Sequence, residues 1–411
     1  MNSAPLELFG VRFHAYLAGI AALILVLIAA HGRSTNYNNY VYLAEAFLHG
    51  QAWLLHWPGA NTVDAIVYGG KPYVIEGPLP AVLMMPLVAL FGESANQTLL
   101  AAVLCAATVV AAWELIARIV PDRKTTFWLM LFLFAGTDLW WCSMLGDVWF
   151  VAHSAAVACT FLALLELTGK RRAWLIAIFA ALAVESRFTM VMALPFYAWA
   201  LYKDVSPAES IAPAQAGAIA MTDKLRAFAL TLVPFVVLWA AYNVVRWGTV
   251  ADLGYTLFYH QDSWGHPSGS PFSIGYFPYQ VYSYFLQSPV LAEWRQSAIW
   301  PIFKVDPHGV ALTFTSPALL LAVLARTPRR IVVALWLTVA LVAVPNFIYY
   351  LNGWYQFGMR HALDFEPFLL LLMAYAVRDR LPRWGAILCG YSAAVGVWGV
   401  WYWDVFFRTG N

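Results

Sequence analysis

The sequence predicts an all-α polytopic membrane protein, and three observations predict it. Of the 411 residues, 62% are hydrophobic, 16% are aromatic and only 11% are charged. Soluble domains run near a quarter charged, so this composition excludes a water-soluble globule and, equally, a disordered chain. Apolar runs also recur from end to end at the length of a bilayer crossing, about 20 helical residues for a ~30 Å hydrocarbon core. The net charge of +2, without a Lys/Arg block, argues against a nucleic-acid partner and leaves membrane lipids as the surroundings. Cys105, Cys142, Cys159 and Cys389 lie in apolar stretches without C-x-x-C spacing, which suggests core packing rather than a zinc site or a disulfide framework.

On that ruler about eleven transmembrane helices are expected, near 12–31, 97–119, 126–142, 149–168, 173–186, 188–202, 226–246, 310–326, 330–350, 364–377 and 384–403. The first has small residues after its apolar core, as a signal peptide does. Only Arg12 precedes that core, however, and similar runs continue to the C-terminus, so a span is the better reading. With the N-terminus cytoplasmic, most of the 24 Lys and Arg gather in short inner turns, Arg118, Arg123, Lys124, Lys170, Arg171 and Arg172 among them. The positive-inside rule then places the C-terminus outside, in a cell inner or plasma membrane. Glu114 and Arg118, four apart near the inner end of one span, read as a local pair. The Ala/Pro/Ser-rich stretch from Ser206 to Thr222 reads as a tether.

The expected organisation is a first transmembrane helix (1–31), an extracytoplasmic segment with two interfacial helices (32–96), a transmembrane bundle (97–246), an extracytoplasmic aromatic-rich loop (247–309) and a C-terminal transmembrane bundle (310–411). Long connections collect on the outer side, which is where chemistry is expected. Within 32–96, Tyr40, Leu43, Ala44, Phe47 and Leu48 fall on one helical face ahead of Gly50, giving an amphipathic interfacial helix. Val63 to Tyr68 and Lys71 to Glu76 flank Gly69-Gly70, a small β-hairpin pattern. Pro78 and Pro80 open a second helix, Ala81 to Phe91, too short to span unless tilted or shielded.

This layout resembles the GT-C superfamily of polyprenyl-phosphate-sugar-dependent glycosyltransferases, in particular the family of protein O-mannosyltransferases and lipid A aminoarabinose transferases. The stretches that carry the likeness run in order: Tyr40 to Gly50, Gly70 to Pro80, Leu90-Phe91-Gly92, Gly146 to Phe150, Glu185-Ser186-Arg187 and Gly353 to Arg360. The resemblance covers the N-terminal half in layout and the C-terminal half more loosely. It implies a polyprenyl-phosphate sugar as donor, a glycan, lipid or protein as acceptor, and a possible divalent metal. The family usually has an acidic residue just before the first interfacial helix, where this chain has Asn36, Tyr37, Asn38 and Asn39, so that role is vacant or displaced.

Such a transferase must bind a lipid phosphate, orient or deprotonate an acceptor, and stabilise the leaving phosphate. Asp64, in the hairpin, is the first choice for an acceptor-directed carboxylate, against a solvated hairpin aspartate. Glu76 stands where the resemblance implies an acidic residue before a basic one, but Gly77 follows here. Asp147, in the outer turn between the third and fourth spans, is a second acidic candidate or else a helix-start carboxylate. His153 lies inside a span, where ionisable groups default to function or form a hydrogen-bonded core.

Arg187 sits at the junction of two short helices, where the resemblance implies a cation for the donor phosphate and an arginine's planar fork suits the task. The bland alternative is an internal pair with Glu185. Arg360, after Trp354, Tyr355 and Phe357, could grip phosphate or stack on sugar; Lys71 is a third cation or a solvated turn lysine. The aromatics of 247–309, such as Tyr255, Tyr259 and Trp264, suit pyranose rings or isoprenoid tails. His260, Asp262 and His266 sit by a turn-rich loop that argues against a metal. Two other classes compete. A transporter would show paired halves and midplane charges, which the hydropathy lacks, and a non-catalytic lipid-glycan-binding relative would explain Asn36 to Asn39.

Overall fold

Backbone groups in a bilayer must be satisfied within their own segment, so long apolar runs condense into helices. The computed structural model describes residues 7–8, 11–56, 64–203, 218–262, 269–291 and 303–405. Val63, Trp264, His266 and the tether up to residue 217 lie outside them. Among the described residues five helices are long and apolar enough to cross a membrane: Gln97–Ile119, Val148–Leu167, Thr222–Trp247, Arg329–Phe347 and Arg383–Trp403. Arg123–Ala135 with Leu139–Leu145 makes a sixth as one broken span. Phe13–Ala29, Ala173–Ser186, Phe188–Tyr202 and Glu366–Ala376 are shorter apolar helices at four more of the expected positions.

The stretch expected at 310–326 is not one helix. It divides into Leu312–Thr315 and a 3₁₀ segment, Pro317–Leu324, because Pro317 has no amide hydrogen to donate and disfavours helical geometry at the residue before it. Ser316 accordingly takes φ −133° and ψ 45°, and its hydroxyl donates to the Gly136 carbonyl at 2.7 Å.

The chain forms two units, Met1–Ile119 with Cys142–Pro271, and Val120–Trp141 with Phe272–Asn411. In the first, Gln97–Ile119 packs against both Phe13–Ala29 and Val148–Leu167, and Ala173–Ser186 packs on the latter. Small residues permit the close approach: a Cβ on Gly19 would lie 2.5 Å from Val110 Cγ2. At one end of this bundle Glu114 takes Arg12 at 2.9 Å, while Arg118 donates to the Leu165 carbonyl at 2.8 Å and to the Thr168 hydroxyl at 3.1 Å. The i, i+4 pair expected from spacing gives way to these partners on other helices.

The hairpin forms as its sequence suggests. Ala65–Tyr68 and Lys71–Val74 pair antiparallel with Tyr68 opposite Lys71, and Gly69 and Gly70 turn at φ 57° and 76°. Positive φ at both positions is what a two-residue turn matched to strand twist requires.

In the second unit, Arg123–Ala135 packs on Arg383–Trp403. A Cβ on Gly396 would stand 1.6 Å from the Ala135 carbonyl oxygen, so only hydrogen fits at this crossing. Gly396→Val is therefore expected to cost about 3 kcal/mol or more, since backbone rather than a pliable side chain opposes it. The readout is a lowered thermal unfolding midpoint and a reduced monodisperse yield in detergent; an unchanged midpoint would contradict this packing.

Candidate functional site

The site is assembled in the first unit from two interfacial helices, the hairpin and the break after Ala173–Ser186. Helices Asn39–Leu48 and Leu79–Phe91 pack together over a core that includes Tyr40, Leu43, Met84, Val88, Val148 and Val151. The hairpin rests on the segment after Thr222–Trp247 through Ile66, Tyr73, Ile75 and Trp247. Gln261 completes that contact by donating to the Val67 carbonyl at 3.0 Å and accepting from the Val67 amide at 3.1 Å.

Arg246 is the anchor behind it. Its guanidinium is buried, donates to the Val74 carbonyl at 3.3 Å and Asn243 Oδ1 at 2.8 Å, lies 3.5 Å from Asp252, and stacks 4.0 Å over the Tyr242 ring. A buried cation with these partners fixes where the second strand ends. From that strand the chain runs through Ile75 and Glu76 to Gly77, whose Cβ, were there one, would fall 2.2 Å from the Glu185 carbonyl oxygen and 2.9 Å from that of Ser186. Glycine is thus required by close approach, and the approach sets Glu76 against the junction that carries Arg187. On the other side Gly254 sits on Ile75, its Cβ position 3.5 Å from the Ile75 carbonyl oxygen.

Arg187 itself leaves the helix in an extended conformation, φ −138° and ψ 108°, half-buried, its amide donating to the Ala183 carbonyl at 2.9 Å. Two tyrosines report the local field, Tyr40 buried and Tyr255 half-buried. The Tyr40 hydroxyl is held well above the usual phenol range by burial and then by the Glu76 charge, with the Arg187 guanidinium pulling the other way. Tyr255 is raised likewise by burial, opposed by Arg187 and reinforced by Glu76. Among the described residues the Tyr40 hydroxyl, fully buried, has no hydrogen-bond partner. A buried polar atom of that kind is costly unless something meets it.

Asp64 takes φ 65°, a left-handed conformation that aspartate tolerates better than most residues, and its carboxylate accepts from the Trp149 indole N–H. Asp147 sits at the N-cap of Val148–Leu167 without capping it; its carboxylate instead accepts from the Thr35 hydroxyl, which also accepts from the Tyr37 amide at 2.9 Å. Tyr37 in turn packs on Trp149, ring centroids 5.2 Å apart. Asp64, Asp147 and the loop before the first interfacial helix are therefore joined through Trp149 and Tyr37. Glu76 is buried, the glycine after it lies against the Glu185–Ser186 backbone, and half-buried Arg187 is the next residue along that backbone.

The remaining expected residues fall elsewhere. Lys71 is exposed at the hairpin turn with its Nζ 3.4 Å over the Trp53 ring, a cation–π contact. His153 is wholly buried in the second turn of Val148–Leu167. Arg360 belongs to the second unit, where it is buried, donates to Gln356 Oε1 at 2.8 Å and faces the Asp138 charge.

Tyr40 and Arg246 escape sequence reasoning, whereas Tyr255 is read there only as one of many outer aromatics. Tyr40 occupies an apolar position of an amphipathic helix, where an aromatic looks like packing, and Arg246 is one more charge at the end of a span. The hydroxyl of Tyr40 is the one sequence-level signal, since phenylalanine would fill the same space.

No family model and no curated protein matches the sequence. A structural likeness does exist, to the crystal structure of ArnT from Cupriavidus metallidurans bound to undecaprenyl phosphate, at TM-score 0.51 and 16% identity. It covers 90% of this chain and 61% of that one, so this chain spans somewhat under two thirds of its relative's length. At that identity the likeness carries the fold alone: an ArnT-like polytopic membrane architecture.

Proposed function

We propose that this chain, with its ArnT-like GT-C fold, is a membrane glycosyltransferase that takes a sugar from a polyprenyl-phosphate donor and passes it to a glycan, lipid or protein on the extracytoplasmic side. The observation that carries the reading is the approach of the Glu76-Gly77 segment to the helix break at Arg187, with the hydroxyls of buried Tyr40 and half-buried Tyr255 within reach of both charges. Support for the donor class comes from the fold it shares with a protein crystallised with undecaprenyl phosphate.

The chemistry follows from residue types. Arg187 receives the donor phosphate, neutralising the charge that grows as the bond from the anomeric carbon to the phosphate oxygen breaks. Glu76 holds that guanidinium in place. Arg360 donates to Gln356 and faces Asp138 in the second unit, so among the described residues Arg187 is the cation assigned to the phosphate. Asp64 orients the acceptor and takes its proton, held toward that role by Trp149. Asp147 is committed to Thr35 and fixes the adjacent loop. A single displacement inverts the anomeric centre.

The test is purified protein in lipid nanodiscs, incubated with a panel of radiolabelled polyprenyl-phosphate sugars and acceptor lipids. Asp64→Asn is expected to lower turnover by about 10²–10⁴-fold with donor binding retained, the usual scale for a lost general base. Equal turnover would remove Asp64 from the mechanism. Donor binding without turnover by the wild type would favour a lipid-glycan-binding protein, the class that the Asn36 to Asn39 departure suggests.

A further inference from the structure

We propose that Glu45, His56 and Glu93 form a divalent-cation site that clips together the ends of the two interfacial helices. One ligand atom from each of the three lies within 4.8 Å of the others. They come from separate elements: Glu45 from the second half of Asn39–Leu48, His56 from the segment after it, and Glu93 from the 3₁₀ turn Gly92–Ser94 that ends Leu79–Phe91. Sequence proximity does not explain the convergence, and each position is pinned independently. Helix Asn39–Leu48 buries Leu43, Ala44 and Ala46. The segment leading to His56 is held by buried Leu54, whose amide donates to the Pro72 carbonyl at 2.9 Å. The 3₁₀ turn is set by Gly92 at φ 57° and by the Ala95 amide on the Gly92 carbonyl at 3.1 Å.

The electrostatics ask for a cation. Two carboxylates at this separation repel each other, and among the described residues neither makes an ion pair with a Lys, an Arg or His56. A salt-bridging imidazolium would have to sit nearer than these groups stand. Ligands sharing an ion behave differently: with bonds of about 2.0–2.2 Å they lie roughly 3–3.5 Å apart, which these side chains reach by rotation because Glu93 and His56 are exposed and Glu45 is half-buried. One imidazole nitrogen with two carboxylate oxygens is a set that suits Mn²⁺ or Zn²⁺; the nitrogen disfavours Ca²⁺ and Mg²⁺. Water fills the remaining positions, since the site opens outward.

The consequence is mechanical. Tyr40 lies near the start of the first of these helices, and Glu76-Gly77 lies just before the second, so an ion joining their far ends holds the relative placement of both site elements. The ion itself takes no part in the reaction, and the inference does not depend on what the protein transfers.

The experiment is Mn²⁺ titration of the full chain in detergent after chelator treatment, followed by electron paramagnetic resonance of the free ion, with Zn²⁺ calorimetry as a second probe. The wild type is expected to show one saturable site per chain, and Glu45→Gln, His56→Ala and Glu93→Gln each to weaken it by about tenfold or more, the scale on which losing even an outer-shell partner registers. Mn²⁺ should also raise the unfolding midpoint of the wild type but not of the Glu45→Gln/Glu93→Gln double variant. Metal-free midpoints of these variants are expected to match the wild type, which separates loss of the ion from loss of the fold. Absence of a saturable site in the wild type, or wild-type affinity retained by all three variants, would overturn the proposal.

Discussion

Replacing Arg187 with Ala is expected to lower kcat/KM for a polyprenyl-phosphate sugar by about 10²–10³-fold, the scale on which losing one preorganised charge stabiliser registers. Three features make this residue the one to remove. Its backbone is already out of the helix, so truncation deletes a side chain without unwinding anything. Its charge reaches the hydroxyls of both Tyr40 and Tyr255, which places it inside the cluster rather than on a rim. Buried Glu76 acts on the same two hydroxyls with the opposite sign, so deleting the cation leaves that carboxylate's charge unopposed there. Arg187→Lys keeps the charge and discards the planar fork, so an intermediate rate is expected. If the alanine variant turned over donor at the wild-type rate, Arg187 would be only the partner of a local ion pair and the phosphate would have to dock elsewhere.

Gly77→Ala should do comparable damage through geometry alone. A methyl group at this position would lie 2.2 Å from the Glu185 carbonyl oxygen, so the segment carrying Glu76 must withdraw from the Arg187 junction by something near an ångström. A misplacement of that size costs about 100-fold in a reaction that depends on alignment. The accompanying loss of stability is expected to be smaller, about 1–3 kcal/mol, because the strain falls on one contact. Parallel measurement of turnover and unfolding midpoint separates the two effects. Wild-type turnover in a well-folded Gly77→Ala protein would show that the approach of the two backbones has no bearing on function.

Much of the architecture is readable from the chain itself. Long apolar runs must become helices in a bilayer because no other local structure satisfies their backbone, and Gly69-Gly70 between two β-prone stretches can do little but turn. The weak points were equally local in origin. The stretch 310–326 reads as one apolar run, and hydropathy does not register that Ser316-Pro317 interrupts the hydrogen-bond ladder. Spacing pairs Glu114 with Arg118 because it speaks only for neighbours on one helix, whereas Arg12 arrives from elsewhere in the chain.

The candidate residues divide along the same line. Residue type marked Asp64, Asp147, Glu76 and Arg187 as worth weighing, since charge near a membrane is expensive wherever it sits. Which of them stand together could not be read that way. Glu76 meets the Arg187 junction because a glycine lets two backbones separated by more than a hundred positions touch, and Tyr40 joins them because its hydroxyl is sealed beneath a helix pair. Composition and periodicity act within a turn or two of chain, and so they settle which segments are helical and which are greasy. Charge placement over 10 Å or more depends on how those segments stack, a property that no short window of residues contains.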